Sequence, residues 1–486
     1  MGKAFPGIDS TVIPPHSNPF GNGIANFFML LFVLAGPSCA FAQVSMTTIL
    51  TNGPSSNRLN IVFFSEGYTS NQLAAFRSDA TNTALALLSQ APYAEYQAYF
   101  NAFAISVPSN QSGSDHPADG NSPSNFRDTY FNSSYDSNSD YLITIPPHFA
   151  DTNYSHGQGK IDALLQTYMP NSQLPILLIN DVRTGGSDGF DKTAISFNGF
   201  SSDQIVTHES GHVLANLGDE YTVPYPGFPD TEEPNTTRET RPDFIKWKAW
   251  IETNTPIPTP ATAPYNAVIG LFQGAHYHSN NWYRPKLDCK MNHAAAPFCE
   301  VCSESLVLAI YRHVRPIDGF TPASTNVSIS STGNLVFSAT LLQPSTHRLS
   351  VQWSTNGILV PGATNASFEM LTQILGNGTQ TVTVKVMDNT GLVRADPTNL
   401  LSQSVTWSLN INLAQLHLDS ATHLSSGGFA FHLSGNAPQG FSLHSSTNLL
   451  SWTSFLTNSL VNGQYWYTNS NIGGYSRQFY RAVTPP

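Results

Sequence analysis

The first part of the chain alternates short apolar runs with longer amphipathic segments. Residues 59–65 (LNIVFFS) form a continuous apolar run, which is typical of a buried strand. Ser70 precedes an amphipathic stretch over residues 72–88 and is a candidate helix N-cap. Similar patterns predict strands at residues 103–107, 141–145 and 175–180 and a helix near residues 160–168. This alternation predicts a mixed α/β (α+β) domain over residues 43–318.

The pattern changes after about Pro316. Helical periodicity disappears, and alternating apolar positions such as Leu349, Val351 and Trp353 are separated by Gly, Asn and Pro. We predict two all-β domains: an immunoglobulin-like sandwich over residues 319–412 and a small β domain over residues 413–486. The aromatic stripes of the small domain are more typical of a core than of a carbohydrate platform. Glycan or surface attachment through these domains is therefore a secondary hypothesis.

The N-terminus has the features of a secretion signal. Residues 24–35 form an apolar run that is too short to span a bilayer comfortably, and Ala40-Phe41-Ala42 fits the small-residue rule for signal peptidase. We predict a signal peptide over residues 1–42, with an uncleaved anchor as the alternative. No later segment approaches the roughly 20 apolar residues of a transmembrane helix. These observations predict a secreted protein, extracellular or periplasmic, without membrane association after cleavage.

Charge excludes some classes of partner. The chain has 21 Lys+Arg against 32 Asp+Glu, a net charge of -11. Such a chain repels nucleic acid and anionic headgroups, so we expect neither as a partner. Charged residues make up only 11 % of the sequence, which suits a secreted, β-rich protein.

The cysteines leave two interpretations open. Signal cleavage would remove Cys39 and leave Cys289, Cys299 and Cys302. In an oxidising compartment, the default is one disulfide from Cys289 to Cys299 or Cys302, with one free thiol. The alternative is a structural zinc site made by the three cysteines and nearby His293.

The candidate chemistry lies in residues 203–217. Asp203 can cap a helix there, because the apolar positions that follow share one stripe. His208 and His212 then lie on one helix face and can bind the same zinc ion, with Glu209 beside them as base for a water molecule. The alternative is two surface histidines on an ordinary amphipathic helix.

A catalytic zinc site needs a third protein ligand and one open position. Asp219 is the first candidate, because Gly218 can adopt the left-handed conformation, end the helix and turn Asp219 back towards the metal. Glu220 is the neighbouring alternative. Glu232 has the spacing of another zinc class, but it lies in a proline-rich stretch unlikely to form the required second helix.

Three blocks of sequence carry a family resemblance: NIVFFSEGYT at 60–69, HESGHVLANLGDEY at 208–221 and GLFQGAHYHSNNWYRPKLDCKMNHAAAPFCEVC at 270–302. Over about residues 57–310 the chain resembles the M64 family, the immunoglobulin A peptidase family. The resemblance implies a zincin-like, metzincin-like catalytic domain. It also implies one catalytic zinc ion bound by His208, His212 and Asp219, with Glu209 as general base and Met291 at the Met-turn.

The sequence departs from the metzincin pattern at two positions. The usual glycine and third ligand would stand where this chain has Ala215 and Gly218, so Asp219 comes one residue late. The family name does not imply that immunoglobulin A is the substrate of this protein.

We therefore predict a secreted zinc-dependent endopeptidase acting on protein or peptide substrates. The alternatives are a non-catalytic secreted binding or adhesion protein on the same scaffold, and a zinc hydrolase of a non-peptide amide. Tyr221 or Tyr283 is a candidate to assist at the oxyanion, with a packing role as the alternative. His276 and His278 are candidates to line the cleft, with a surface position as the alternative. The oxygen-rich loop at residues 112–119 is a candidate Ca2+ site, with a solvated turn as its alternative.

Overall fold

The computed structural model describes residues 44–484, apart from positions 119–121, 138–140, 149, 188–192, 200, 226, 332, 373–374, 414, 436–438, 472 and 475. The predicted signal peptide lies outside the described residues. In the part of the chain that is described, no helix is both long and apolar enough to cross a bilayer.

The helices of the described chain are α1 (Leu73–Leu88), α2 (Gln158–Tyr168), α3 (Ser202–Ala215) and α4 (Glu300–His313). The strands before α4 are β1 (Ser45–Leu50), β2 (Leu59–Glu66), β3 (Phe100–Ser106), β4 (Ser134–Tyr135), β5 (Ile143–Thr144), β6 (Leu174–Ile179), β7 (Gly186–Ser187), β8 (Ala194–Phe197), β9 (Phe272–Ala275) and β10 (His278–Arg284).

The strands after α4 are β11 (Ile317–Thr321), β12 (Asn326–Ile329), β13 (Asn334–Leu341), β14 (Ser350–Thr355), β15 (Ile358–Leu359), β16 (Ser367–Leu371), β17 (Gly378–Met387) and β18 (Ser402–Ile411). They continue as β19 (His417–His423), β20 (Phe429–Ser434), β21 (Gly440–Ser446), β22 (Thr453–Ser459), β23 (Gln464–Asn469) and β24 (Phe479–Val483). Among the described residues no helix follows α4.

A six-stranded mixed sheet organises the first part of the molecule, in the order β1-β3-β2-β6-β8-β7. Strands β3, β2, β6 and β8 run parallel, and β1 and β7 are antiparallel to their neighbours. Every residue of β2 is buried, which explains its continuous apolar sequence. Alternate β2 side chains enter two cores: Ile61 and Phe63 join a cluster with α1, α3 and α4, whereas Val62 and Phe64 join one with α2. The sheet therefore lies between two helical layers.

The second part is built from sheets alone. Sheets β11-β13-β16 and β12-β18-β17-β14-β15 enclose one apolar core, in which Trp353 and Trp407 stack 5.9 Å apart. Sheets β19-β20-β23 and β22-β21-β24 enclose a smaller core around Phe431 and Phe441. The prediction of a mixed α/β region followed by β-only regions is confirmed at this level.

The first β region shares buried contacts with the mixed region. Asp388 is 4 % exposed and accepts hydrogen bonds from the hydroxyls of Tyr96 at 2.9 Å and Tyr311 at 2.6 Å. Arg58 forms an ion pair with Asp318 at 2.6 Å. Leu342 also joins the core of α1, α3 and α4. Strands β11 to β18 are therefore packed against the mixed region through apolar and polar contacts.

Two local predictions are wrong. Thr69, not Ser70, caps the short 3-10 turn before α1, and its side chain forms a capping box with Gln72. The strand predicted over residues 141–145 is only the two-residue β5. Both errors concern the ends of elements, where a sequence pattern is least informative.

Candidate metal centre

Helix α3 carries the histidines, but its ends differ from the prediction. Its N-cap is Ser201 in the left-handed conformation, and Asp203 lies in the first turn without capping, so the predicted Asp203 cap is wrong. At the other end Asn216, not Gly218, adopts the left-handed conformation (φ 52°, ψ 41°). Asparagine tolerates this region better than most residues do. The chain therefore turns two residues before Gly218.

Gly218 is tightly enclosed by two neighbouring side chains. A Cβ atom there would lie 2.5 Å from the Glu233 carboxylate, closer than real contacts allow. The backbone amide and carbonyl of Gly218 both bind the Asn235 side chain, at 2.7 and 2.8 Å. This paired contact fixes the segment that leads to Asp219.

Three potential ligand atoms converge beyond the helix. Nε2 of His208 lies 3.1 Å from Nε2 of His212, and Asp219 Oδ1 lies 3.1 Å from the first and 3.4 Å from the second. Asp219 thus joins the histidines, as predicted, and Glu220 does not. Whether these residues bind a metal remains a prediction.

Hydrogen bonds at the far side of each ring define which ring nitrogen faces the other candidate ligand atoms. Nδ1 of His208 lies 2.9 Å from the Lys290 carbonyl, and Nδ1 of His212 lies 2.5 Å from the Leu217 carbonyl. A carbonyl only accepts, so both Nδ1 atoms are donors and each neutral ring carries its lone pair on Nε2. Two lone pairs therefore face each other and Asp219 Oδ1.

The Asp219 carboxylate is held by its other oxygen. The Tyr277 hydroxyl donates a hydrogen bond to Oδ2, whereas Oδ1 has no hydrogen-bond donor among the described residues. Burial opposes ionisation, but the two imidazoles lower the pKa of Asp219 below its ordinary value. Burial likewise opposes the charged form of His208, yet the carboxylates of Asp219 and Glu209 raise its pKa. The Asp219 carboxylate and the imidazoles thus lie close enough to change one another's ionisation.

Glu209 lies at the base of a large cleft. Its Oε2 lies 4.0 Å from His212 Nε2. The cleft has a volume of about 1270 Å³, and its lining includes His208, Glu209, His212, Asp219, Tyr135 and Tyr225. Gly186 of β7 closes on the carboxylate, since a Cβ there would lie 2.9 Å from Glu209 Oε1. The volume suits an extended chain of several residues.

The wall of this cleft is fixed by a buried carboxylate in the first family-like block. Glu66 accepts hydrogen bonds from the Thr129 hydroxyl at 2.6 Å and from the amides of Phe131 and Ser133 at 2.9 and 2.8 Å. Burial raises the pKa of Glu66 despite these donors. The segment that it holds leads directly to Tyr135, which lines the cleft.

The two candidate tyrosines lie in different places. Tyr221 lines the cleft and stacks on His208, with ring centroids 6.1 Å apart. Burial, followed by the charges of Asp219 and Glu209, raises the pKa of Tyr221, so its hydroxyl keeps its proton. Tyr283 is buried in the core beside α3 and pairs with the backbone of Thr237. Only Tyr221 faces the candidate centre.

Other sequence candidates lie elsewhere. His276 is buried, with its ring nitrogens 3.0 Å from Glu233 and 2.8 Å from the Pro229 carbonyl, and His278 lies outside the cleft lining. Glu232 forms an ion pair with Lys246 at 3.1 Å. In the candidate calcium loop, Asp115 accepts the Arg127 amide at 2.5 Å, and Asp119 lies outside the described residues.

A second group of candidate ligands lies behind the first. Glu220, Cys289, Cys299 and Cys302 are all buried, and one ligand atom of each lies within 4.8 Å of the others. The three cysteines are free thiols, so the structure has no disulfide among them, contrary to the default expectation. His293, the predicted fourth member of a zinc site, is instead exposed beside Asp288 at 3.5 Å.

Sequence reasoning missed three residues that position these groups: Tyr277, Asn235 and the carbonyl of Lys290. None belongs to a motif with a recognisable period. A resemblance block covers Tyr277 and Lys290, but it gives no sign of which atoms they contact. Asn235 directly follows the proline-rich stretch at residues 224–234.

The comparisons with known proteins come from one family and several remote structures. A family model described as IgA Peptidase M64 matches residues 47–264 and 261–310. No curated protein matches the chain. Among solved structures, an apo structure of Bacteroides uniformis beta-glucuronidase 3 is 9% identical, with 42% of this chain and 27% of that chain covered and a TM-score of 0.14.

A crystal structure of titin domains also has 9% identity and a TM-score of 0.14, with 33% of this chain and 55% of that chain covered. The chain therefore spans about a quarter and about half of these two proteins (27% and 55%). Likenesses with a TM-score of 0.14 indicate neither a shared fold nor a shared function.

Proposed function

Because this chain belongs to the IgA peptidase M64 family, a family of metallopeptidases, we propose that it is a secreted zinc-dependent endopeptidase. His208, His212 and Asp219 would bind the zinc ion, and Glu209 would act as general base. The observation that carries the proposal is the convergence of two Nε2 lone pairs and one carboxylate oxygen without a donor among the described residues.

The residues fit a zinc ion by their chemistry. Two imidazole nitrogens and a carboxylate oxygen are the ligand set of open catalytic zinc sites. Each histidine also donates its other ring hydrogen to a carbonyl, an arrangement that orients metal ligands and raises their basicity. Without a cation, the converging lone pairs repel one another in a buried setting. The adjoining cleft leaves room for water and substrate.

Zinc, when bound, acts as a Lewis acid that polarises a water molecule and the scissile carbonyl. The protein contributes the proton transfers. Glu209 faces the cleft, and its carboxylate accepts a proton from the attacking water and then delivers it to the leaving amine. Tyr221 keeps its hydroxyl proton and donates a hydrogen bond to the carbonyl oxygen as negative charge develops there.

The domain boundaries and the signal peptide belong to the same proposal. Residues 1–42 would be a signal peptide, 43–318 a zincin-like catalytic domain, 319–412 an immunoglobulin-like sandwich and 413–486 a small β domain. The buried Trp353, whose Nε1 donates to the Asn365 carbonyl at 2.9 Å, supports the sandwich assignment. Recovery of the protein from the medium tests secretion, and its N-terminal sequence tests the cleavage site. A mature chain that begins elsewhere than at Gln43 would refute cleavage after Ala42.

The activity is tested with an unbiased peptide library. The purified protein should cleave peptides, and cleavage should stop when zinc is chelated and return when zinc is added. A protein that binds zinc yet leaves every peptide intact would support one of the alternatives, a binding protein or a hydrolase of non-peptide amides. A parallel panel of non-peptide amides separates those two.

A further inference from the structure

A closed cluster of potential ligands lies behind the candidate catalytic centre. Glu220 and Cys302 are fully buried, and so are Cys289 and Cys299 to within 3 %. The Sγ atoms of Cys289 and Cys302 lie 3.6 Å apart, and Cys302 Sγ lies 3.9 Å from Glu220 Oε1. Zinc bonds to sulfur of about 2.3 Å in a tetrahedron separate two ligand atoms by about 3.8 Å. These two pairs already have about this spacing, and all the ligand atoms lie within 4.8 Å of one another.

Only one oxygen of the buried Glu220 carboxylate has a hydrogen-bond donor among the described residues. Glu220 Oε1 accepts a hydrogen bond from Asn235 at 3.0 Å, but Oε2 has no donor within the described part of the chain. A buried carboxyl oxygen without a partner is costly. A disulfide between any two of the cysteines would shorten their separation to about 2.05 Å. It would still leave the third thiol and Glu220 without a role.

The surroundings offset part of the cost of burying negatively charged ligands. Cys299 is the N-cap of α4 and Cys302 lies in its first turn, where the helix dipole stabilises thiolates. The Cys299 amide donates to Cys289 Sγ at 3.3 Å. The cations of Arg284 and Lys290 both interact electrostatically with Cys289, and Arg284 also interacts with Glu220. These cations offset the excess negative charge of a divalent ion with three thiolates and one carboxylate.

We propose that Glu220, Cys289, Cys299 and Cys302 bind a second zinc ion in a closed structural site. Four protein ligands leave no position for water or substrate, as in structural zinc sites. The ion would join the segment after α3 to the turn at residues 289–291 and to the start of α4. This proposal goes beyond the peptidase activity and does not depend on it.

The location explains what the second ion would do. Asp219 immediately precedes Glu220, and the Lys290 carbonyl that orients His208 immediately follows Cys289. Met291 packs close to Gly211 of α3, and its carbonyl accepts the Glu220 amide at 2.9 Å. The closed site would therefore hold the third ligand and the floor of the open site in position.

The first test uses the double variant His208→Ala/His212→Ala, which removes the open site only. Elemental analysis by mass spectrometry should find about two zinc ions per chain in the unaltered protein and about one in the variant. Zinc X-ray absorption of the variant should show a sulfur shell at about 2.3 Å with one shorter oxygen bond. A variant without zinc, or with nitrogen and oxygen ligands only, would overturn the proposal.

The second test compares Glu220→Gln with its matched control Glu232→Gln, in which the carboxylate lies at the surface. Only Glu220→Gln should weaken the more tightly held zinc, by about tenfold or more in competition with a chelator. Glu220→Cys should restore tight binding with a four-sulfur shell. Equal affinity in Glu220→Gln and the control would remove Glu220 from the site.

A third measurement separates zinc from a disulfide. Alkylation of the denatured protein with chelator but without reductant should modify Cys289, Cys299 and Cys302, as located by peptide mass spectrometry. Recovery of a disulfide-linked peptide containing Cys289 in the protein as purified would contradict the proposal. This result is independent of whether any variant folds.

Discussion

The two ligand clusters lie on adjacent residues of one segment but face different surroundings. Asp219 points into a cleft of about 1270 Å³ together with two imidazoles, whereas Glu220 points into the core together with three thiols. The open cluster offers three candidate ligands and the closed cluster four. Ligand number and access to solvent are what distinguish catalytic from structural zinc sites. A single peptide bond thus separates a centre suited to chemistry from one suited to support.

The largest expected effect is a loss of catalytic rate without a loss of zinc. Glu209→Gln removes the general base without touching a ligand, so kcat/KM should fall by about 10²–10⁴-fold. Zinc content, measured by elemental analysis, should not change. Glu232→Gln is the matched control and should keep full activity. Substantial peptide cleavage by Glu209→Gln would assign the base elsewhere.

The next effect concerns charge that develops during the reaction. Tyr221→Phe keeps the ring that stacks on His208 and removes only the hydroxyl, so kcat should fall by about 10²-fold while zinc affinity stays the same. Tyr225→Phe, at the cleft but not against the ligands, is the control. Steady-state kinetics on one cleaved peptide measure both. An unchanged kcat in Tyr221→Phe would restrict this residue to packing.

A smaller effect should separate the two clusters by metal affinity. Tyr277→Phe removes the hydrogen bond to Asp219 Oδ2, so the open site should lose about 10–100-fold in zinc affinity. The closed site should keep its ion, because Tyr277 contacts the Asp219 side of the segment. Competition with a chromophoric chelator resolves the two affinities. Equal weakening of both sites would show that they are not independent.

The smallest effect should be a loss of stability in the segment that carries both clusters. Asn235 binds the Gly218 backbone and also donates to Glu220, so Asn235→Ala leaves buried polar groups without partners. We expect a loss of about 1–3 kcal/mol in the free energy of unfolding. Asn266→Ala, at an exposed turn, is the control in denaturant titrations. Equal stability of the two variants would mean that Asn235 does not hold the segment.

The sequence predicted the body of helix α3 better than its ends. The apolar stripe and the spacing of four placed His208 and His212 on one face, because helical periodicity is a local property. The end of the helix depends on which residue adopts the left-handed conformation. The pattern favoured Gly218, whereas Asn216 adopts it. Asparagine can also end a helix in this conformation, but glycine does so more often and was therefore preferred.

The position of Glu220 among the cysteines could not be predicted from the sequence. Cys302 lies 82 positions from Glu220, and the two come together only when α4 packs against α3. No local pattern records such a contact. The cysteine spacing did suggest a zinc site, yet it pointed to His293, which is near in sequence and exposed in the structure.

Anomalous diffraction at the zinc absorption edge, on crystals of the purified protein, would locate zinc at both clusters. We expect one zinc peak about 2.0–2.2 Å from His208 Nε2, His212 Nε2 and an Asp219 oxygen. A second peak should lie among Glu220 and the three cysteines. A map with no zinc peak at the two imidazoles, from crystals grown with zinc, would refute the proposed catalytic centre.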